Sequence, residues 1–319
     1  MKKDSVIAIV VTYNRKILLE ECLNAIFHQT ISVGKVILID NASTDGTKEY
    51  LDEKGILSDN RLCYIKKETN TGGSGGFYEG LKLARETEHG WIWLMDDDTI
   101  PQADCLENLI AAKDFLLQQG EKVSFLASSV FGTAQEFMNV PVVNNKPSAN
   151  GYQYWYKFLK NGLLNIRCAT FVSLLINMKA VRKCGLPCRD YFIWGDDTEY
   201  TTRLTTYFAD AYMVGSSVVI HKRKNAKALN IFYETDSNRL KMFYYFYRNN
   251  FITGRYYEKS RIWIIKFVIK NLTVAIKILG KEKGLFRAKI ILKGIIDGVR
   301  QYAQFKDYII NELQTSSEK

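Results

Sequence analysis

The sequence predicts an α/β protein: a mostly parallel sheet with helices on both faces, followed by a C-terminal helical region. Three observations lead there. Short continuous apolar runs, expected of strands buried on both faces, alternate with segments whose apolar residues recur every three or four positions. Polar and glycine-rich clusters follow several runs, where helices begin. Beyond residue 221 the charge balance changes. Residues 1–221 hold 23 Lys+Arg and 26 Asp+Glu, whereas residues 222–319 hold 21 and 8, so a near-neutral body carries a basic tail.

Val6–Val11 reads as the first buried strand, and Leu18, Leu19, Cys22, Leu23 and Ile26 place a helix after it. Lys35–Ile39 is the second strand, and the cap-rich turn Ser43–Thr47 leads into a helix over about 45–53. Leu62–Ile65 is the third strand, followed by a helix from Ser74 to Glu88 that a glycine-rich loop opens. Trp91–Met95 is the fourth strand and Pro101–Gln119 another helix. Val123–Phe131 and Thr170–Met178 read as strands, with an irregular, aromatic-rich segment 132–168 between them. Asp196–Phe208 is a helix and Ala211–Ile220 a last strand. Strands alternating with helices imply a parallel sheet.

In the tail, Ile262–Leu279 is apolar but interrupted by Lys266, Lys270 and Lys277. At 100° per residue these fall within about 40° of one another, so the helix should lie against a surface rather than cross a bilayer. Residues 285–305 repeat the design, with Lys293, Asp297, Arg300 and Gln304 on one face. The surface is either the protein's own body or an anionic membrane.

Composition bounds the rest. The chain has 319 residues, 47% apolar and 24% charged, with a net charge of +10 and four prolines. That excludes a disordered chain, a collagen, a disulfide miniprotein and a polytopic membrane protein. The six cysteines form no CxxC pair and histidines number three, which argues against structural zinc. The start Met-Lys-Lys-Asp precedes an apolar run too short for a secretory signal, so a cytoplasmic setting with free thiols is expected.

Three constellations carry chemistry. Asp96-Asp97-Asp98 directly follows the fourth strand. Adjacent carboxylates repel, and a hard divalent cation such as Mg²⁺ or Mn²⁺ resolves the repulsion at the strand end where α/β proteins bind ligands. A solvated acidic turn is the plain alternative; the buried strand with two tryptophans in front favours the metal. Trp194-Gly195-Asp196-Asp197-Thr198-Glu199-Tyr200 is a second acidic cluster. Its aspartates are either helix caps or the base of a metal-assisted group transfer, taking a proton from an incoming hydroxyl. Asn70–Phe77 is glycine-rich, which allows close approach of an anionic ligand to a helix start. His221 closes the last strand before Lys222-Arg223-Lys224; a lone histidine is commonly structural, yet beside hard carboxylates it can complete a Mn²⁺ shell.

Val10–Arg15, Ile39–Thr47, Asn70–Gly76, Asp96–Asp98 and Trp194–Tyr200, in this order, resemble the family 2 glycosyltransferases across about residues 5–221. The Asn-x-Gly-Gly-Ser-Gly-Gly-Phe segment, the triple Asp and Asp-Asp-x-Glu-Tyr most resemble the galactofuranosyltransferase branch, with rhamnosyltransferases similar. Gly195 stands where that branch tends to have Trp, and Trp194 lies one position earlier. Tyr244–Asn249 resembles an aromatic-Arg-Asn segment found after the catalytic domain.

The resemblance implies a GT-A fold, Rossmann-like, with a catalytic domain over 1–224 and a helical region over 225–319. It implies an inverting enzyme using Mn²⁺ or Mg²⁺ and a nucleotide-sugar donor, a UDP-sugar such as UDP-galactofuranose before dTDP-rhamnose. Thr12, Asn14, Arg15, Asp40, Asn70, Gly73 and Asp97 would hold the nucleotide, and Asp96, Asp98 and His221 the metal. Asp197 would be the general base, with Trp194, Asp196 and Glu199 orienting donor or acceptor. The acceptor would be a lipid-linked glycan of cell-surface polysaccharide assembly, met at the cytoplasmic (inner) membrane face by the basic tail, with a homodimer through that tail. A nucleic-acid-binding reading leaves both acidic clusters unexplained. A nucleotide-sugar-binding scaffold without turnover leaves Asp197 without a task.

Overall fold

A computed structural model describes residues 5–223 and 227–315 of the chain. In order run β1 (Val6–Thr12), α1 (Lys16–Phe27), β2 (Lys35–Asp40), α2 (Thr47–Glu53), β3 (Leu62–Lys66), α3 (Gly72–Arg85), β4 (Trp91–Asp96) and β5 (Thr99–Pro101). They are followed by α4 (Cys105–Gln118), β6 (Val123–Phe131), β7 (Val142–Val143), β8 (Leu163–Cys168), β9 (Leu174–Asn177), α5 (Met178–Cys184), α6 (Asp196–Tyr207) and β10 (Asp210–His221). The C-terminal helices are α7 (Ser237–Glu258), α8 (Arg261–Ile278) and α9 (Gly284–Thr315).

One sheet of order β3-β2-β1-β4-β9-β6-β10-β8-β7 carries the body. Its first four strands are parallel, as the alternating pattern predicts. The second half is mixed: β9 runs antiparallel to both β4 and β6, and β8 antiparallel to β10. β1 is buried along its whole length because both faces are covered. Val6, Ala8 and Val10 pack into the layer with α1 and α4, while Ile7, Ile9 and Val11 pack into the layer with α3.

Four expectations are corrected. The helix expected from Ser74 starts at Gly72, so the glycines are its first turns rather than a loop before it. A Cβ at Gly76 would lie 2.4 Å from Val11 Cγ1 and one at Gly80 2.4 Å from Ile9 Cγ2, so the missing side chains let α3 settle on β1. The helix expected from Pro101 begins at Cys105, because Thr99–Pro101 instead pair with the end of β10. The segment 132–168 is not wholly irregular, since it contains β7 and β8, and the strand expected over 170–178 shortens to β9.

Helices α7, α8 and α9 pack around Leu240, Phe243, Tyr247, Phe251, Ile278 and Ile291. Phe305 of α9 and Ile252 of α7 close on Cys188 and Tyr191 of the body. The start Met-Lys-Lys-Asp and the domain boundary expected at 224/225 lie outside the described residues. Among the described residues no helix is long and apolar enough to cross a membrane.

Candidate active site

The carboxyl ends of β1, β2, β3 and β4 lie side by side, and the loops leaving them are tied together by polar side chains. Asn14 has a positive φ of 55°, a conformation Asn tolerates, and its Oδ1 accepts from the Thr44 amide at 2.7 Å. Asp40 is fully buried and accepts from the Ser43 amide at 2.7 Å and the Tyr64 hydroxyl at 2.5 Å. Asn70 Oδ1 accepts from Asn41 Nδ2 at 2.9 Å and the Gly72 amide at 2.8 Å. Gly73 faces open space, with nothing within 4 Å of where a Cβ would sit.

Asp97 is held between Thr12, whose hydroxyl donates at 2.7 Å, and Arg15 at 3.2 Å. Burial still pushes its carboxyl up to about 6, against the pull of Arg15. Asp98 accepts from the same guanidinium at 2.6 Å. Burial acts to raise Asp98, but His221 and Arg15 outweigh it and hold the carboxyl below its ordinary range. Asp96, desolvated and beside Asp98 and Asp97, is pushed well up. Arg223 is half-buried; burial and Arg239 lower its pKa, while Asp98 and Asp96 act in the opposite sense. Lys222 pairs with Glu21, and Lys224 lies outside the described residues.

The sheet register brings in His221. Thr99, next to Asp98, pairs with His221, and the Lys222 amide donates to the Asp98 carbonyl at 2.8 Å. Ligand atoms of Asp96, Asp98 and His221 lie within 4.8 Å of one another. The donor set fits a hard divalent cation with one imidazole. A detail of bonding sharpens the fit. Asn139 Oδ1 lies 2.8 Å from His221 Nδ1, while Asn139 Nδ2 donates to Thr170 Oγ1 at 3.1 Å. An amide oxygen only accepts, so Nδ1 carries a proton, and in the neutral ring Nε2 presents a lone pair. That lone pair faces Asp98 Oδ1 at 3.0 Å, a buried oxygen without a hydrogen-bond donor. A proton on Nε2 joins the two atoms, as the lowered Asp98 carboxyl reflects, and a bound cation could take that proton's place. Sequence reasoning missed Asn139, which sits in the aromatic-rich segment with nothing to set it apart.

The second acidic cluster opens α6. Asp196 is buried and its charge reaches Asp96. Burial raises both Asp196 and Asp197, and each side chain stands at a helix N-terminus. Asp197 Oδ1 accepts from the Thr198 amide at 2.6 Å and its hydroxyl at 3.2 Å. Trp194 is half-buried: its ring meets Phe243 edge-on at 5.1 Å and lies under Arg239 at 5.7 Å.

Glu199 corrects an expectation. Its carboxylate is fully buried, receives Arg203 Nε at 3.0 Å and Nη2 at 2.5 Å, and accepts from Tyr257 at 2.8 Å. It braces α6 against α7, and its carboxylate has no exposed surface. Glu199→Ala should therefore cost about 3–5 kcal/mol in denaturant unfolding, because Arg203 is left buried without its charge partner. A loss below about 1 kcal/mol would contradict the brace.

Residues 7–173 match the sequence family described as Glycosyl transferase family 2. This chain belongs to that family. Among relatives within it, galactofuranosyltransferase GlfT1 of Mycolicibacterium smegmatis is 34% identical over 96 residues, 30% of either chain. Glycosyltransferase AglE of Haloferax volcanii is 26% identical over 62% of this chain and 60% of its own. The Escherichia coli glucosyltransferase WfaP, which acts on a GlcNAc-diphosphoundecaprenol, is 24% identical over 63% of this chain and 75% of its own. The family 2 chain thus spans only 30% and 60% of the length of these first two relatives. Among solved structures, GalNAc-T7 with UDP, GalNAc and Mn²⁺ superposes with a TM-score of 0.61 at 13% identity, covering 96% of this chain and 57% of that one. Staphylococcus aureus TarS residues 1–349 gives 0.51 at 13% identity, over 94% and 91%. These likenesses establish the GT-A-like mixed sheet.

Proposed function

We propose that this family 2 chain is a metal-dependent inverting glycosyltransferase that moves galactofuranose from UDP-galactofuranose to a hydroxyl of a lipid-linked glycan during cell-surface polysaccharide assembly. The observation that carries it is the convergence of Asp96, Asp98 and His221 at the strand ends, with Asp196 of α6 near enough to act on Asp96 and Asp197 next to it in the chain. The galactofuranosyltransferase relative supports the choice of sugar. The catalytic domain would be residues 1–224 and the basic helical region 225–319.

Asp96, Asp98 and His221 would hold Mn²⁺ or Mg²⁺, whose charge offsets that developing on the diphosphate. Thr12, Asn14, Arg15, Asp40, Asn70, Gly73 and Asp97 would place the nucleotide along the strand ends. The acceptor oxygen attacks the anomeric carbon from the side opposite the diphosphate. The bond from that carbon to the phosphate oxygen breaks and its electron pair leaves with the nucleotide diphosphate. Asp197 takes the acceptor's hydroxyl proton, and no protein nucleophile is needed.

The tail supports a place at the cytoplasmic membrane face. Ile262, Ile265, Ile269 and Ile276 of α8 are exposed, with Lys266, Lys270 and Lys277 beside them, the composition of an interfacial helix. Calorimetric titration with UDP, with and without Mn²⁺ and against dTDP, tests the donor class. Metal-dependent UDP binding that dTDP cannot match supports the proposal; a dTDP preference moves it to rhamnosyl transfer from dTDP-rhamnose. Absence of binding to either overturns it. Flotation with anionic but not zwitterionic vesicles is expected if the tail meets lipid.

A further inference from the structure

The aromatic-Arg-Asn segment of α7 has no task in this reaction so far, yet it is the most heavily bonded feature near Asp197. Asn249 is fully buried. Its Nδ2 donates to the main-chain carbonyls of Tyr191 at 3.0 Å, Ile193 at 3.1 Å and Trp194 at 2.8 Å. Arg248 Nη2 donates to the carbonyls of Asp190 at 2.7 Å and Tyr191 at 3.2 Å. Arg248 Nε donates to Asn249 Oδ1 at 2.9 Å, which turns the amide so that its N–H groups face the loop.

The loop they grip is strained. Phe192 has φ +66° and ψ −63°, and the Ile193 amide bonds back to the Tyr191 carbonyl at 2.8 Å, a tight three-residue turn. Trp194 has φ +59° and Gly195 φ +102°. Bulky residues with positive φ persist only where their surroundings over-determine them. A Cβ at Gly195 would also lie 3.1 Å from Asn249 Cβ, which accounts for glycine rather than tryptophan there. On its other side the loop meets α3: the Ser74 amide donates to the Phe192 carbonyl at 3.2 Å. Phe192 stacks on Tyr245 with ring centroids 4.8 Å apart. Asp196 and Asp197 follow immediately.

We infer that Arg248 and Asn249 are positioning residues for the acidic pair: their N–H groups, shared among the main-chain carbonyls of Asp190, Tyr191, Ile193 and Trp194, hold the 190–195 loop in the shape that aims Asp197. This rests on the reading of Asp197 as base. It follows that α7, which lies beyond the family-matched segment 7–173, is needed for turnover but not for holding the nucleotide.

The test uses the full chain with Asn249→Ala and, in case that variant folds poorly, Arg248→Lys, which keeps the charge but not the fork of donors. Three readouts are taken: UDP affinity with Mn²⁺ by calorimetry, UDP released from UDP-galactofuranose, and amide exchange by mass spectrometry. Expected are UDP affinity within twofold of wild type, kcat down at least thirtyfold, and exchange at 191–197 up at least tenfold with β1 and β4 unchanged. Overturning results are turnover within threefold of wild type, unchanged exchange at 191–197, or UDP affinity falling in step with kcat, as general loss of structure would give. A wild-type chain that binds no UDP sinks the transferase reading before any variant is made, and exchange at 191–197 then decides alone whether the pair holds the loop.

Discussion

Asp197→Asn is expected to lower kcat about 10³-fold, within the range for loss of a positioned general base, while UDP affinity with Mn²⁺ stays within twofold. The substitution keeps size and shape. The Thr198 amide and hydroxyl that donate to Oδ1 can donate equally to an amide oxygen, so the local turn survives. What disappears is the capacity to take a proton. The pH profile gives a second check. Burial raises the Asp197 carboxyl above its ordinary range, and the base works only when ionised. kcat/KM should therefore climb with pH along an acid limb whose midpoint lies above the usual carboxylate value near 4, and fall as pH drops through it. In Asp197→Asn the limb should change shape, leaving only the ionisation of Asp97 and Asp96, which burial also raises. Equal loss of turnover and UDP affinity, or an unchanged limb, would move the base elsewhere.

The parallel half of the sheet is readable because β1, β2 and β4 are covered on both faces and so are written as unbroken apolar runs. β8 is not, because Asn165 and Arg167 interrupt Leu163–Cys168 and only its antiparallel partners make it a strand. The glycine segment misleads for a physical reason. Glycine suits both a ligand loop and a helix pressed onto a strand, and Gly72, Gly76 and Gly80 recur every four residues, the spacing of one helix face. Glu199 misleads similarly. It sits in an acidic cluster, but Arg203 stands four residues on, the spacing of a helical ion pair, and the pair is what the fold uses. The cluster of Asp96, Asp98 and His221 is legible because Asp96 and His221 end strands and Asp98 lies in the turn just after β4, at the edge where such sheets bind ligands. Asn139, which fixes the histidine's proton, is not: its position depends on a loop crossing to Thr170, and no local pattern encodes that crossing.

Asp98→Ala should abolish metal-dependent UDP binding, weakening it more than about 100-fold, whereas Asn139→Ala should weaken it only about tenfold, inside the 10–100-fold range for an outer partner. The two effects differ because the two residues act at different distances from the cation. Removing Asp98 deletes the oxygen that faces His221 Nε2 at 3.0 Å and also the one that holds Arg15 at 2.6 Å, which leaves Arg15 paired with Asp97. The remaining Asp96 and the imidazole make too poor a set for a hard divalent ion. Removing Asn139 leaves every ligand atom in place but releases the proton on Nδ1. Part of the population then carries it on Nε2, where it donates to Asp98 and occupies the direction the cation needs. Titration of Mn²⁺ into each variant, with UDP present and absent, separates these causes. If Asp98→Ala retains Mn²⁺-stimulated UDP binding, the cluster is not the metal site. If Asn139→Ala matches wild type, the histidine's tautomer is set by the cation itself rather than by the loop that carries Asn139.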